Sequence, residues 1–243
     1  DRIGDIHANL PALEAVLDHA HEHEANAIWN SGDSVGYGAY PDEVIQQLRG
    51  IDALSTIGSY DRQVLRFRKR KERWRRKKRL EEYLALEWAY GQLSKKSRKY
   101  LRFLSAEMRM RVKGKRALLT HGCPGPREKG ISPKEADETL ASLGQKAGAD
   151  LIVCGLSHKP FARQADGIWF INPGSVGLPV DGDPRASYAI LQFGAKEIQV
   201  AHHRVAYDVE QMATAIHDAG LPEAFAEMFR QGRDLETVLA KEG

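Results

Sequence analysis

Gly4-Asp5-Ile6-His7-Ala8-Asn9 opens a run that, followed as far as Gly58, decides the fold. Residues 8–25 place Leu10, Leu13, Val16, Leu17 and Ala20 at helical spacing, so a helix follows the first motif directly. Ala27-Ile28-Trp29-Asn30 reads as a strand ending at Gly32-Asp33. Pro41 starts a second helix, with Val44, Ile45 and Leu48 on its apolar face. Residues 52–57 form a short strand into Gly58. A β-α-β-α-β order predicts parallel strands joined by right-handed crossovers. Asp1-Arg2-Ile3 is short for a first strand, which predicts further residues upstream of Asp1.

Residues 61–104 break this rhythm. A basic helix is followed by a mostly apolar stripe of Tyr83, Leu84, Leu86, Trp88, Ala89 and Leu93, and Ser94 is a good N-cap for the next helix. We read 61–104 as a helical cap or insertion within a single domain over 1–243. Strands resume at 108–112 and 116–120 around the turn Lys113-Gly114-Lys115. A helix over 133–147 starts at Ser132-Pro133, and strands are predicted at 150–154, 168–171, 187–193 and 196–203. Helices at 208–219 and 222–230 close the chain.

At 243 residues the chain suits one α/β domain with a sizeable core. No apolar run approaches the roughly 20 residues of a membrane span, and no secretory h-region opens the sequence. The two cysteines, Cys123 and Cys154, form neither a CxxC pair nor a disulfide framework. Together these features predict a cytoplasmic protein with no membrane partner. The net charge of +3 conceals an asymmetry: residues 62–79 hold twelve Lys or Arg against the single acid Glu72, which leaves −8 on the rest of the chain.

Asp5 and His7, at i and i+2 on a strand end, would leave on the same face. A carboxylate beside an imidazole suits a borderline divalent metal. Asp33 ends the next strand, and His121 and His158 end two later ones. A lone DxH is weak, and a lone histidine at a strand end is more often scaffolding than a ligand. Co-occurrence at strand-to-loop junctions, usually beside glycine, is what raises these five, because open α/β sheets place their sites beyond the carboxyl ends of strands. Asn172-Pro173-Gly174-Ser175-Val176-Gly177 is either an anion-facing loop, through Asn172 and Gly174, or a structural turn. Asn9 either touches a phosphate or caps the helix at Leu10.

The ordered set D-x-H, G-D-x-x-G, G-x-x-D, T-H-G, G-x-x-H and N-P-G-S-V-G, at Asp5, Asp33, Asp61, His121, His158 and Asn172–Gly177, resembles the calcineurin-like metallophosphoesterase superfamily and, within it, the small bacterial phosphodiesterase-like branch. The resemblance runs over nearly the whole chain. It implies a four-layer α-β-β-α sandwich, a phosphate-ester substrate and a divalent metal centre of Mn, Fe, Zn or Ni. It implies further that Asp5, His7, Asp33 and His158 hold a first ion, with Asp33 bridging to a second ion held by His121. Asp33, His121 and Tyr60 are then the catalytic candidates. Two second-ion positions depart from the pattern: Ser59 stands where the family has Asn, and Leu156 where it has His. The expectation is one firmly bound ion, a second that is weak or absent, and hydrolysis of a phosphodiester or phosphomonoester by attack of metal-bound water, with activity reduced by Ser59 and Leu156. A catalytically impaired binding module is the alternative reading.

The basic stretch 62–79 has two readings. The favoured one is a solvated helix, balanced by the acidic body or by a partner subunit in a homo-oligomer; the other is a substrate-facing lid or nucleic-acid patch. Phe67 and Trp74, seven apart, share a helix face as packing anchors. His19, His21 and His23 read as surface residues near a helix C-terminus, and neither they nor His202, His203 and His217 are expected to bind metal.

Overall fold

A computed structural model describes residues 1–125, 129–194 and 197–240. The first half runs β1 (Arg2–Ile3), α1 (Leu10–Glu22), β2 (Trp29–Asn30), α2 (Pro41–Gly50), β3 (Leu54–Ser55), α3 (Ser59–Lys77), α4 (Leu80–Gln92) and α5 (Lys95–Phe103). The second half runs β4 (Glu107–Val112), β5 (Lys115–Thr120), α6 (Asp137–Ala147), β6 (Leu151–Val153), β7 (Phe161–Ala165), β8 (Ile168–Asn172), β9 (Ala186–Phe193), β10 (Ile198–Val205), α7 (Val209–Asp218), α8 (Glu223–Gln231) and α9 (Leu235–Leu239). Lys196, the expected first residue of the last strand, lies outside the described residues.

The strands form two five-stranded mixed sheets, ordered β10-β9-β1-β2-β3 and β4-β5-β6-β8-β7. Alternation along each strand assigns the layers. Ala117 and Leu119 of β5, Leu151 and Val153 of β6, and Ile171 of β8 share an apolar cluster with Trp29, Ala189, Leu191 and Ile198 of the first sheet. That cluster is the inter-sheet core. Their neighbours Leu118, Ile152 and Phe170 face the other way, onto Leu140 and Ala147 of α6. On the far side, Ile3 and Tyr188 pack on Leu13 and Val16 of α1, Val44 and Leu48 of α2, and Phe67, Leu86 and Leu101 of α3 to α5. The result is the expected α-β-β-α order. Each fully buried aliphatic side chain in it contributes on the order of 1.5–3 kcal/mol.

Residues from α3 to α5 join the cluster that covers the first sheet, so this segment forms part of the outer helical layer. Phe67 is buried against Trp74, Tyr83 and Tyr90, the packing role expected of it. Helix α3 begins at Ser59 and, at about 1.5 Å per residue, carries its basic far end some 25 Å or more away. Lys71–Glu87 and Lys78–Glu82 ion pairs tie it to α4. The C-terminal helices α7 to α9 form their own cluster around Met212, Phe225 and Phe229, which reaches Ala85 of α4 and Tyr37 and Tyr40 of the loop after β2.

Two elements were not expected. Strand β7 pairs antiparallel with β8 across Asp166-Gly167, whose φ values of 50° and 74° make the two-residue turn such hairpins favour. Helix α9 starts at its N-cap Asp234, which accepts from the Thr237 amide. Helix α6 begins later than Ser132-Pro133 suggested, because Ser132 Oγ accepts from the Lys134 amide and turns the chain first. No helix among the described residues is long and apolar enough to cross a membrane.

Candidate metal centre

β1, β2 and β3 run parallel in one sheet, and β5, β6 and β8 run parallel in the other. All six sequence segments lie just beyond the carboxyl ends of these strands. Cross-sheet bonds join them: His121 Nδ1 donates to Ser31 O at 3.1 Å, and the Leu156 amide donates to Asp5 Oδ2 at 3.0 Å.

The five metal-ligand candidates converge. One ligand atom each from Asp5, His7 and His158, and likewise from Asp5, Asp33 and His121, lies within 4.8 Å of the others in its group. Asp5, rather than Asp33, is the carboxylate common to both groups. Nor does strand alternation direct Asp5 and His7. The first strand ends at Ile3, and both residues adopt the left-handed region, φ 50° and 49°. Asp33 (50°), Leu156 (67°) and His158 (55°) do the same. Each such residue costs on the order of 1–3 kcal/mol and persists where its surroundings over-determine it. Here the Asp5 and His7 amides donate to Gly32 O and Asp33 O, so the two ligand loops hold each other. Gly58 completes the fit: a Cβ there would stand 2.1 Å from both Asp33 N and Asp33 Oδ1.

The donor set suits a divalent transition metal, and two buried atoms point the same way. His7 Nδ1 and His121 Nε2 have no hydrogen-bond partner among the described residues. His121 Nε2 lies 3.2 Å from Asp33 Oδ2, and His7 Nε2 faces His158 Nε2 at 3.3 Å. His158 Nδ1 donates to Leu178 O at 2.6 Å, which turns its Nε2 lone pair into the site. Asp61, to which no role was assigned from sequence, accepts from the Gly58 and Val35 amides and ties the loop after β2 to the start of α3.

Charge in the site is frustrated. Burial raises Asp5, with Asp33 adding to the shift against the pull of His158 and His121. Burial pushes Asp33 up too, but the charge and hydrogen bond of His121, together with His7 and the Tyr60 amide, outweigh it and hold that carboxyl below the usual range. His121 in turn is raised to about 9, its burial overcome by Asp33. His7 is pushed down to about 3 by burial and then by His158, and Asp61 up to about 7 by burial and Asp33. The raised groups stabilise the fold fully below their unfolded pKa values and lose that contribution as pH climbs through the folded ones. Metal-free protein is therefore expected to lose thermal stability between about pH 6.5 and 9, the window His121 sets. Saturating Mn²⁺ should flatten the decline, because metal binding favours deprotonated ligands. A metal-free melting temperature that rises over this range would contradict the assignment.

The remaining candidates sit around the ligands. Tyr60 donates its backbone N–H to Asp33 Oδ1 at 2.6 Å, sets its ring edge-on to His7, and gives its hydroxyl to Tyr37. Burial, then Tyr37, raises Tyr60 well above the usual tyrosine value. Ser59 Oγ donates to Asp33 Oδ2 at 3.3 Å. Asn9 is fully buried: its Oδ1 accepts from the Ala12 amide as the cap of α1, and its Nδ2 donates to Gly177 O and Tyr207 Oη. Asn172 Nδ2 donates to Gly155 O and Ser157 Oγ, while its Oδ1 accepts from the Gly174 amide. A phosphate contact by Asn9, Asn172 or Gly174 would have to replace one of these bonds. Of the two readings each carried, the cap and the turn are what the side chains form.

One grouping outside this centre was not expected. His19 and His23, read from sequence as surface residues near a helix C-terminus, and His203, read only as ending a strand, place ring nitrogens within 4.8 Å of one another; His23 is exposed and the other two are half-buried.

The chain belongs to the calcineurin-like phosphoesterase superfamily, whose domain pattern matches residues 2–196. Membership implies a phosphoester substrate and a divalent metal. The chain is similar to the uncharacterized protein MJ0912 of Methanocaldococcus jannaschii, at 32% identity over 95% of this chain and 97% of that one. It is similar also to the crystal structure of a metallophosphoesterase from Sphaerobacter thermophilus, with a TM-score of 0.78 and 31% identity over 95% and 98% of the two chains. A shorter match, 44% identical over 54 residues, covers 22% of this chain and 27% of Phosphodiesterase YfcE of Escherichia coli.

Proposed function

We propose that this protein is a metal-dependent phosphoesterase with one strong ion site and one weakened one. The observation that carries this reading is the convergence of two buried carboxylates and three imidazoles whose inward nitrogens face each other or lack hydrogen bonds. Asp5, His7 and His158 would hold the strong ion, with Asp33 beside them. Asp33 and His121, with Asp5 shared between the two groups, would serve the second position, where Ser59 is a poor neutral donor and Leu156 offers none. A bound divalent ion supplies Lewis-acid polarisation of the phosphoryl group and a lowered water pKa. The chain's own groups do the rest. Raised to about 9 beside Asp33, His121 would bring a positive charge close to an approaching phosphoryl group at neutral pH when the second position is empty. Tyr60 and Tyr37 wall the site on the His7 side and limit water there.

A phosphodiester is the favoured substrate class, since a diester brings less charge to a centre short of one cation. The relative named as a phosphodiesterase agrees with this choice. Mn²⁺-dependent hydrolysis of an aryl phosphodiester and an aryl phosphomonoester tests the reading. Turnover that EDTA abolishes and Mn²⁺ restores is expected, with the diester preferred. No turnover of either ester with any of Mn²⁺, Zn²⁺, Fe²⁺ or Ni²⁺ would favour the binding-module reading, which Ser59 and Leu156 support.

The basic stretch is assigned no part in turnover of small substrates. Because α3 runs outward, neutralising Arg68, Lys69, Arg73 and Arg76 should leave kcat/KM for the aryl diester within about twofold at moderate ionic strength. A tenfold loss would reinstate the lid.

A further inference from the structure

We infer that His19, His23 and His203 form a second, separate metal site, a three-imidazole clamp for a late divalent transition ion such as zinc. His19 lies in the last turn of α1 and His23 is the C-cap four residues on, and their rings stack, so the helix end brings two imidazoles together much as an i, i+4 histidine pair does. His203 comes from β10, the edge strand of the first sheet, where it pairs with Tyr188 of β9. The packing of α1 on this sheet brings the third imidazole to the other two. Ring centroids are 4.3 Å apart for His19 and His23, 5.1 Å for His19 and His203, and 5.3 Å for His23 and His203.

The nitrogens lie within 4.8 Å of one another. Tetrahedral zinc, with Zn–N of about 2.0–2.1 Å, requires nitrogens about 3.3 Å apart. Small side-chain rotations supply the difference, and exposed His23 has room for its share. The rings are also held in the way metal-binding imidazoles usually are. His23 Nδ1 donates to His19 O at 2.8 Å, which leaves Nε2 as its ligand atom. His19 Nδ1 bonds Tyr188 Oη at 2.6 Å, which again leaves Nε2. His203 stacks on the Tyr188 ring. Three neutral imidazoles without a carboxylate select zinc, nickel or copper over magnesium, calcium or manganese. The cluster is distinct from the phosphoesterase centre: His19 and His23 lie ten and fourteen residues beyond Asn9, roughly 15–20 Å along α1. Bound metal would pin the C-terminal end of α1 to the exposed edge of the sheet.

Tag-free, EDTA-stripped protein of residues 1–243 is titrated with zinc, and bound metal is counted after dialysis. Wild type is compared with His23→Ala, His203→Ala and, as a control, His21→Ala, an exposed histidine on the same helix outside the cluster. We expect His23→Ala and His203→Ala each to bind one zinc equivalent fewer than wild type, or to bind it at least tenfold more weakly. His21→Ala should match wild type. Zinc should also raise the melting temperature of wild type more than that of His23→Ala, a solvent-exposed change that leaves the metal-free fold intact. Equal stoichiometry and affinity in wild type and both cluster variants would overturn the proposal. So would a zinc-grown crystal with no anomalous peak among the three rings. Neither readout depends on phosphoester hydrolysis, so this site can fail without the phosphoesterase reading failing, and the converse.

Discussion

Replacing Ser59 by Asn and Leu156 by His in one chain is expected to raise Mn²⁺-dependent hydrolysis of an aryl phosphodiester by about 100-fold, with a matching gain in affinity for a second ion. The backbone is already arranged for it. Leu156 holds φ at 67°, a left-handed conformation that a bulky apolar residue adopts at a cost of about 1–2 kcal/mol. Its amide is tied to the Asp5 carboxylate, which keeps that conformation in place. Histidine tolerates this region better than leucine, so Leu156→His adds a ligand without adding strain. Ser59 Oγ already points at Asp33, and Asn extends the same side chain by a stronger oxygen donor. The two departures fall at the same ion position, so the pair should exceed the product of the single effects. Metal content measured beside the rate checks the mechanism. A double variant that neither takes up more metal nor turns over faster would show that these two residues do not limit the site.

Removing the shared carboxylate should move activity and stability in opposite directions. Asp5→Asn takes a donor from both ligand groups, and hydrolysis is expected to fall by about 10³-fold or more, roughly 4 kcal/mol of lost transition-state stabilisation. Asp5 is fully buried, and its pKa is raised by burial and by Asp33, so its ionised form is a burden on the metal-free fold at neutral pH. The amide carries no charge, and its oxygen can still accept from the Leu156 amide. The metal-free variant should therefore melt several degrees higher than metal-free wild type at pH 7.5, with the gain shrinking as pH falls and Asp5 protonates. Thermal melts at pH 5 and 7.5 with EDTA present, set beside the kinetic assay, decide it. A variant both inactive and less stable at pH 7.5 would mean that Asp5 is held by favourable contacts rather than by selection for metal.

Much of this site was legible in the chain because its parts are punctuated locally. Apolar runs followed by Gly-Asp, Thr-His-Gly or Gly-x-x-His mark strand ends, and parallel strands bring their ends to one edge. Convergence of Asp5, His7, Asp33, His121 and His158 follows from that topology. What was hidden depends on backbone conformation and on long-range pairing. Periodicity cannot show that Asp5 and His7 reach the site through left-handed residues rather than strand alternation. It also cannot show which carboxylate is shared. Asn9 and Asn172 have the polarity of phosphate ligands, and only their hydrogen-bond partners identify them as a helix cap and a turn. The hairpin at Asp166-Gly167 carried a readable turn signal that the mixed polarity of β7 obscured. His203 lies 180 residues beyond His23, and nothing local announces that β10 and the end of α1 are neighbours.

Two unequal metal positions in one centre are the proposal's central expectation. Anomalous diffraction from a crystal equilibrated with Mn²⁺ measures this directly, because manganese is poorly matched to the all-imidazole cluster at His19. The predicted map shows one strong peak among Asp5, His7 and His158, and weak or no density beside Asp33 and His121. Two peaks of equal height, or none at Asp5, would contradict it.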